Sequence, residues 1–366
     1  MTDDVLIETR GRLGLLTLNR PQALNALNEP MCAALHAALD GFVEDEAVAV
    51  VAIRGAGDRA FCAGGDVVTA YHAGRAGTDG WERFFSTEYR MNAAIAAFPK
   101  PYIALMDGVT MGGGVGVSIH GRYRIATERT LWAMPETGIG MVPDVGSTAV
   151  LGRMGPLGRF LALTGARLDG AETLAAGVAT HYAPSRRLDS LLDALARGEA
   201  VLDAIGLAVD EPGPARLDGN RAAIDRLFAG TTVDAILAAL DADGGEWAAK
   251  EAATVRRMSP TACVLAMELL RRGTEGNVRD ALTHEYRVVR QLKLGHDFYE
   301  GVRAQLIDKD RSPKWQPATL AEVDDVEIAT SFRASREGDL SFASIREADW
   351  GGGDLPGGGD RARAAP

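Results

Sequence analysis

The sequence predicts an α/β protein. A core of repeated β-β-α turns covers residues 1–190, a helical region covers 191–333, and a tail covers 334–366. Three observations carry this prediction. The first half repeats an order of strand, strand and helix. Two of its buried strands run directly into glycine clusters, at 64–65 and 112–114. From about residue 190 the apolar spacing becomes helical.

The elements follow in order. "VLIETRGRLGLLTLNRP" (5–21) reads as two short strands around a glycine turn, and "ALNEPMCAALHAALDGFVED" (26–45) as an amphipathic helix. "AVAVVAIRGAG" (47–57) is a buried strand ending at glycine, and "KPYIALMDGVTMGGG" (100–114) is a strand and loop. "GVGVSIHG" (114–121) begins a helix, and "YRIATERTLWAMPE" (123–136) is strand-like again. Repeated β-β-α turns fit this order better than a doubly wound sheet. Further on, "LDSLLDALARGEAVLDAIG" (188–206) is helical and "LAVDEPGPARLDGN" (207–220) reads as a loop. Residues 221–258 and 259–273 return to helical spacing. The last stretch, "GGGDLPGGGDRARAAP" (351–366), has almost no large apolar group and reads as a disordered tail.

Composition bounds the function. The chain is 46% hydrophobic and 24% charged, enough for a well-buried core. A net charge of -11 opposes non-specific binding to nucleic acid, although a few local Arg or Lys suffice for a small anion. The three cysteines, Cys32, Cys62 and Cys263, are too scattered for a disulfide framework or a CxxC metal site, so a reducing cytosol fits. The six histidines show no metal-ligand spacing. No secretory signal opens the sequence, and no apolar run is long enough for a membrane helix.

Four stretches contain residues suited to chemistry. In "AFCAGGDV" (60–67) the paired glycines let backbone N–H groups approach a ligand, or simply make a tight turn; Cys62 reads as a small buried hydrophobe. In "DGVTMGGGVGVSIHG" (107–121) three glycines lead into a helix start, which suits an anion or a developing oxyanion. The string is neither a dinucleotide fingerprint, since Val117 holds the third glycine position, nor a GxSxG elbow. In "MPETGIGMVPDVGS" (134–147) Glu136 and Asp144 lie among Gly, Pro and apolar residues with no base between them. Glu136 follows Trp132 and Met134, an apolar setting that would disfavour its charge and tune it for proton transfer; a surface Glu is the alternative. Asp144 also suits a helix N-cap. Finally, Glu88 falls on one helical face with Phe84, Met91, Ile95 and Phe98. An acid on that stripe needs either a buried basic partner or a ligand.

Taken together, "LNRPQALNALN", "GAGDRAFCAGGDV", the block from Lys100 to Ser147 and "LTGARLDGAETLAAGVATHYAP" resemble the crotonase (enoyl-CoA hydratase/isomerase) superfamily. The late stretch "EGVRAQLIDKDRSPKWQPATLAEV" is similar to the ending of its 3-hydroxyisobutyryl-CoA hydrolase branch. The resemblance spans about residues 5–330 and implies a crotonase-like spiral followed by a C-terminal helical region that commonly packs subunits together, hence a homo-oligomer. It implies an acyl-CoA thioester substrate, with coenzyme A entering as part of that substrate and no separate cofactor or metal. The oxyanion hole maps to the N–H groups of Gly65 and Gly113, the catalytic acids to Glu136 and Asp144, and the substrate contacts to Glu88, Gly113, Glu136 and Asp144. The superfamily's hydratases carry a second glutamate two residues after their glycine triplet. Gly116 stands there in this chain, and Asp144 supplies an acid elsewhere. Some isomerases keep an acid near the Asp144 position as well. The resemblance therefore implies hydrolysis of a 3-hydroxyacyl-CoA in valine breakdown, with a hydratase or isomerase as the alternative and a non-catalytic acyl-CoA binder as a third reading. It also places Lys293, Lys309 and Lys314 near the nucleotide end of the ligand.

Overall fold

The structure, a computed structural model, describes residues 2–334 and 338–342. The chain opens with a hairpin, β1 (Val5–Arg10) and β2 (Leu13–Leu18), and helix α1 (Glu29–Glu44). Asn28 caps α1 by accepting from the Met31 N–H at 2.9 Å. Then come β3 (Val50–Gly55), β4 (Ala60–Cys62), α2 (Val67–Arg75), α3 (Gly80–Ala96), β5 (Tyr102–Met106), β6 (Val109–Met111) and the single turn α4 (Gly113–Gly116). Next are β7 (Tyr123–Ala126), β8 (Leu131–Ala133), α5 (Ser147–Arg153), α6 (Pro156–Thr164), β9 (Leu168–Asp169), α7 (Gly170–Ala175) and β10 (His181–Tyr182). Nine further α-helices follow among the described residues: α8 (Leu188–Ala196), α9 (Val201–Ala208), α10 (Arg216–Leu227), α11 (Val233–Asp243), α12 (Glu246–Arg257), α13 (Pro260–Gly273), α14 (Val278–Leu292), α15 (Asp297–Val302) and α16 (Asp325–Ser331).

Two sheets take alternate strands of each turn. One has six strands in the order β1-β2-β3-β5-β7-β10, and the other has four in the order β4-β6-β8-β9. Only the outer pairs β1/β2 and β8/β9 are antiparallel. Three successive strand pairs, β3/β4, β5/β6 and β7/β8, thus step from one sheet to the other, which is the repeated β-β-α turn expected from sequence. The strand-like stretch 123–136 divides into β7 and β8 because Thr127–Thr130 turns the chain between sheets.

The central strands β2, β3 and β5 of the six-stranded sheet are covered on both faces and largely apolar, whereas the edge strand β1 is mostly exposed. Leu13, Leu15, Val50, Ala52, Ile103 and Leu105 pack under α8 and α9. The alternate residues Leu16, Leu18, Val51, Ile53, Ala104 and Met106 face the main core. That core runs on without a break into α10–α14, through Ile224, Ile236, Leu269 and Val289. The loop expected over 207–220 is shorter than its composition suggests: α10 begins at Arg216, beyond the last proline. The tail expected over 351–366 lies outside the described residues. Among the described residues no helix is long and apolar enough to cross a membrane.

Candidate active site

Three parallel strands deliver the site. β6 lies between β4 and β8 and runs parallel to both, so the chain leaves all three at the same edge of the sheet. β4 runs into Gly64–Gly65, β6 into Gly112–Gly113, and β8 into Met134, Pro135 and Glu136. Both glycine clusters and the first acid therefore meet, although Gly65 and Gly113 are 48 positions apart in the chain. The clusters touch. A Cβ on Gly112 would lie 3.4 Å from Gly64 Cα, and one on Gly113 would lie 3.2 Å from the Gly64 carbonyl carbon. Gly64 and Gly112 adopt φ +129° and +48°, which a side chain would oppose. Neither the Gly65 N–H nor the Gly113 N–H donates to a backbone acceptor among the described residues.

The acids surround this junction. The notional Gly113 Cβ is 2.6 Å from Glu88 Oε1, and that of Gly112 is 3.1 Å from Glu136 Oε1. Glu88 is 2% exposed and Glu136 is 7% exposed, which excludes the surface reading of Glu136. Glu88 Oε1 and Glu136 Oε2 have no hydrogen-bond partner among the described residues. Among the described residues the buried basic partner expected as one option for Glu88 is not found; burial, then the Asp144 charge, acts on its carboxylate and raises its pKa. Burial, then the Asp144 charge, likewise raises Glu136 well above the usual carboxylate range. The stripe holds for Phe84, Met91 and Ile95, which are buried on α3 with Glu88; Phe98 is also buried but lies past the end of α3 at Ala96.

Asp144 is not a helix cap. Helix α5 starts at Ser147, with Gly146 at the cap position and no capping side chain. The Asp144 carboxylate instead accepts from the Tyr89 hydroxyl at 2.6 Å. Burial pushes its pKa up to about 7 against the lowering effect of that bond. The two residues after it are left-handed, Val145 at φ +55° and Gly146 at φ +77°. For a β-branched residue this is strained, by about 1–3 kcal/mol. His120 holds the strained turn: its Nε2–H donates to the Val145 carbonyl at 2.8 Å. Burial pushes the His120 pKa down to about 4, so the ring is neutral.

Sequence reading missed Glu285. This fully buried α14 carboxylate accepts from the Gly146 N–H at 2.6 Å, the Thr148 N–H at 3.3 Å and the Thr148 hydroxyl at 2.5 Å. It satisfies the open N–H groups at the start of α5. The available signal was the same as for Glu88: Leu282, Glu285, Val288, Val289 and Leu292 share a helical face. Cys62, by contrast, is a core residue. Its thiol is pushed up to about 12 by burial and donates weakly to the Gly64 carbonyl at 3.5 Å.

Gly116 is closed to any side chain. A Cβ there would lie 2.7 Å from Asn92 Nδ2 and 2.7 Å from Val145 Cβ. The expected late lysine group divides. Lys293 Nζ is bound to Glu82 at 2.8 and 3.0 Å and to the Thr78 carbonyl at 3.3 Å, so it ties α14 to α3. Lys309 and Lys314 are exposed.

Known proteins share this architecture. The 3-hydroxyisobutyryl-CoA hydrolase, mitochondrial, of Danio rerio is 44% identical over 350 residues, which is 93% of this chain and 92% of that protein. The Homo sapiens protein of the same name is 41% identical over 351 residues, covering 93% and 91%. A crystal structure described as a carnitinyl-CoA dehydratase from Mycobacterium thermoresistibile superposes with TM-score 0.88 at 42% identity, over 93% of this chain and 99% of that one. One described as an enoyl-CoA hydratase from Rhodobacter sphaeroides 2.4.1 gives 0.87 at 42% identity, over 93% and 100%. The named relatives are mitochondrial, so the expectation of a cytosolic protein gains no support from them. The enoyl-CoA hydratase/isomerase model matches residues 13–332, nearly the whole described chain, and with the two-sheet spiral and its paired glycine loops this shows that the protein belongs to the enoyl-CoA hydratase/isomerase family.

Proposed function

We propose that the protein is a thioester hydrolase that converts 3-hydroxyisobutyryl-CoA and water to 3-hydroxyisobutyrate and free coenzyme A. The observation that carries this reading is the closed position at Gly116, together with a buried Glu136 at the glycine junction whose Oε2 has no hydrogen-bond partner among the described residues. A hydratase of this superfamily needs a second glutamate at that place, and here Asn92 and Val145 already occupy the space. The names of the relatives at 41% and 44% identity support the same choice over the hydratase and dehydratase titles of the two solved structures.

In this reading the thioester oxygen enters between the Gly65 and Gly113 N–H groups, which stabilise the negative charge that develops there. Glu136, buried and with Oε2 free of a hydrogen-bond partner among the described residues, acts at the thioester carbon. It either attacks directly to give a mixed anhydride or takes a proton from an attacking water. Asp144, with a pKa near that of the medium, hands a proton to the leaving thiolate and accepts one from water. Glu88, whose Oε1 borders the oxyanion glycine, receives the substrate's 3-hydroxyl, three bonds from the reacting carbon. No further cofactor enters this chemistry. Lys309 and Lys314 are the late lysines left to meet coenzyme A phosphates.

The test is coenzyme A release followed with a thiol dye. The parent should release thiol from 3-hydroxyisobutyryl-CoA, while Glu136→Gln and Asp144→Asn fold, bind acyl-CoA and lose most turnover. Glu88→Gln should cost far more on the 3-hydroxy substrate than on isobutyryl-CoA. Hydration of an enoyl-CoA without thiol release would overturn the proposal. A Glu136 hydroxamate formed when hydroxylamine is present during turnover marks the anhydride route.

A further inference from the structure

We propose that Glu285 is a positioning residue: from the helical region it locks the Asp144–Val145–Gly146 turn, and thereby sets where Asp144 meets the leaving group. The inference rests on the hydrolase reading and on Asp144 as its proton carrier.

The turn cannot hold its shape alone. Two consecutive left-handed residues, one of them β-branched, follow Asp144 directly. Such a conformation persists only where the surroundings over-determine it. Two side chains do so here. His120 takes the Val145 carbonyl, and Glu285 takes both N–H groups that flank Ser147. The chemistry of that second contact is selective. Gly146 donates to Oε2, while the Thr148 N–H and hydroxyl both donate to Oε1. Both oxygens must therefore accept, which only a carboxyl group achieves. A glutamine of the same size must set its NH2 against one of the two backbone N–H groups. A residue needed merely to fill space would not be an acid 0% exposed and close enough to Asp144 to feel its charge.

The same helix supports the other end of Asp144. Tyr286 packs its ring edge-on against Tyr89, with centroids 6.2 Å apart at 74°. The Tyr89 hydroxyl is the group bound to Asp144 Oδ2. Adjacent α14 residues thus support one acid twice, its backbone turn directly through Glu285 and its carboxylate indirectly through Tyr286 and Tyr89.

The experiment compares parent, Glu285→Gln, Asp144→Asn and the double variant by thiol release, with folding followed by circular dichroism. Glu285→Gln should lower kcat about 10- to 100-fold, the scale for a misplaced catalytic group, with KM nearly unchanged. In the Asp144→Asn background it should cost nothing further, because the group it positions is gone. Equal losses in both backgrounds, or parental kcat with only a lowered Tm, would overturn the positioning role and leave the hydrolase reading intact. A parent that releases no thiol would remove the hydrolase reading, and this inference with it. Should Glu285→Gln fail to fold, Thr148→Val deletes only the hydroxyl donor and should give a smaller kcat loss with the same dependence on Asp144. Its absence would likewise overturn the proposal.

Discussion

Asp144 and Glu285 hold their protons more tightly in the folded protein than they would in an open chain. Their pKa values are pushed up to about 7 and about 8, chiefly by burial, whereas unfolded carboxyls titrate near 4. Between those limits these two groups bind more protons in the folded state than in the unfolded one, so their contribution to stability falls as pH rises through the window and is fully present only below it. Asn cannot ionise, so Asp144→Asn removes one contributor to the decline. Its Tm should exceed the parent's by several degrees near pH 8, and the two should converge near pH 4. Melts across that range check this. A Tm difference that does not change with pH would mean that Asp144 is uncharged, or not destabilising, in the free enzyme. The prediction also separates function from stability, since the more stable variant should be the one that loses thioester cleavage.

Among the elements, the parallel trio β4, β6 and β8 does the most to shape the site, because parallel neighbours release their following loops at one edge. The contact between the two glycine loops leaves no room for a side chain. Gly113→Val would bring Cβ to 2.6 Å from Glu88 Oε1 and 3.1 Å from Leu27 Cδ1. The Glu88 carboxylate and the Gly64 loop must then move, and the oxyanion donor proposed at Gly113 would be lost or misdirected. Turnover per folded molecule should fall by about 10²–10³. Gly206, in α9 with nothing near its Cβ position, provides the control. Gly206→Ala should leave activity unchanged and favour its helix slightly. A Gly113→Val enzyme that turned over at the parental rate would remove both glycine loops from the mechanism.

At the scale of the whole molecule, the helical region is not an appendage to the spiral. The main core includes Leu18, Met31 and Phe61 from the first part and Leu240, Leu265, Leu282 and Val289 from the last. α5 leans on α13 so closely that a Cβ on Gly152 would lie 2.4 Å from the Leu270 carbonyl oxygen. The second carboxylate network points the same way: Asp297 accepts from the Ser259 hydroxyl at 2.6 Å, and the Ser259 N–H donates to Thr137, the residue after Glu136, at 3.1 Å. Unfolding by denaturant should therefore be one transition, with far-ultraviolet circular dichroism and tryptophan fluorescence coinciding. A fragment ending at residue 190 should not fold, because it exposes the faces of α5 and α6 that the later helices cover. Two separated transitions, one matching such a fragment, would show instead that the spiral is stable alone.

The sequence by itself determined the recurring alternation of strand and helix, the glycine clusters and the acids at 88, 136 and 144. Each of these is a local record. Alternation and spacing report which face is buried, glycine reports where backbone must approach backbone, and an acid on an apolar stripe reports a group held against its solvation preference. What only the tertiary structure decided lies in contacts between distant parts of the chain. Tyr89 meets Asp144 across 55 residues, and Glu285 meets Gly146 across 139. The reading of Asp144 as a helix cap failed for this reason: two left-handed residues delay the helix start, and a distant carboxylate takes the N–H groups that a local one would have capped. The closure of Gly116 is of the same kind, since glycine there was visible, while Asn92 and Val145 filling the space beside it was not. Local patterns record what each segment needs from its surroundings; which distant group supplies it depends on packing, and no spacing along the chain encodes that.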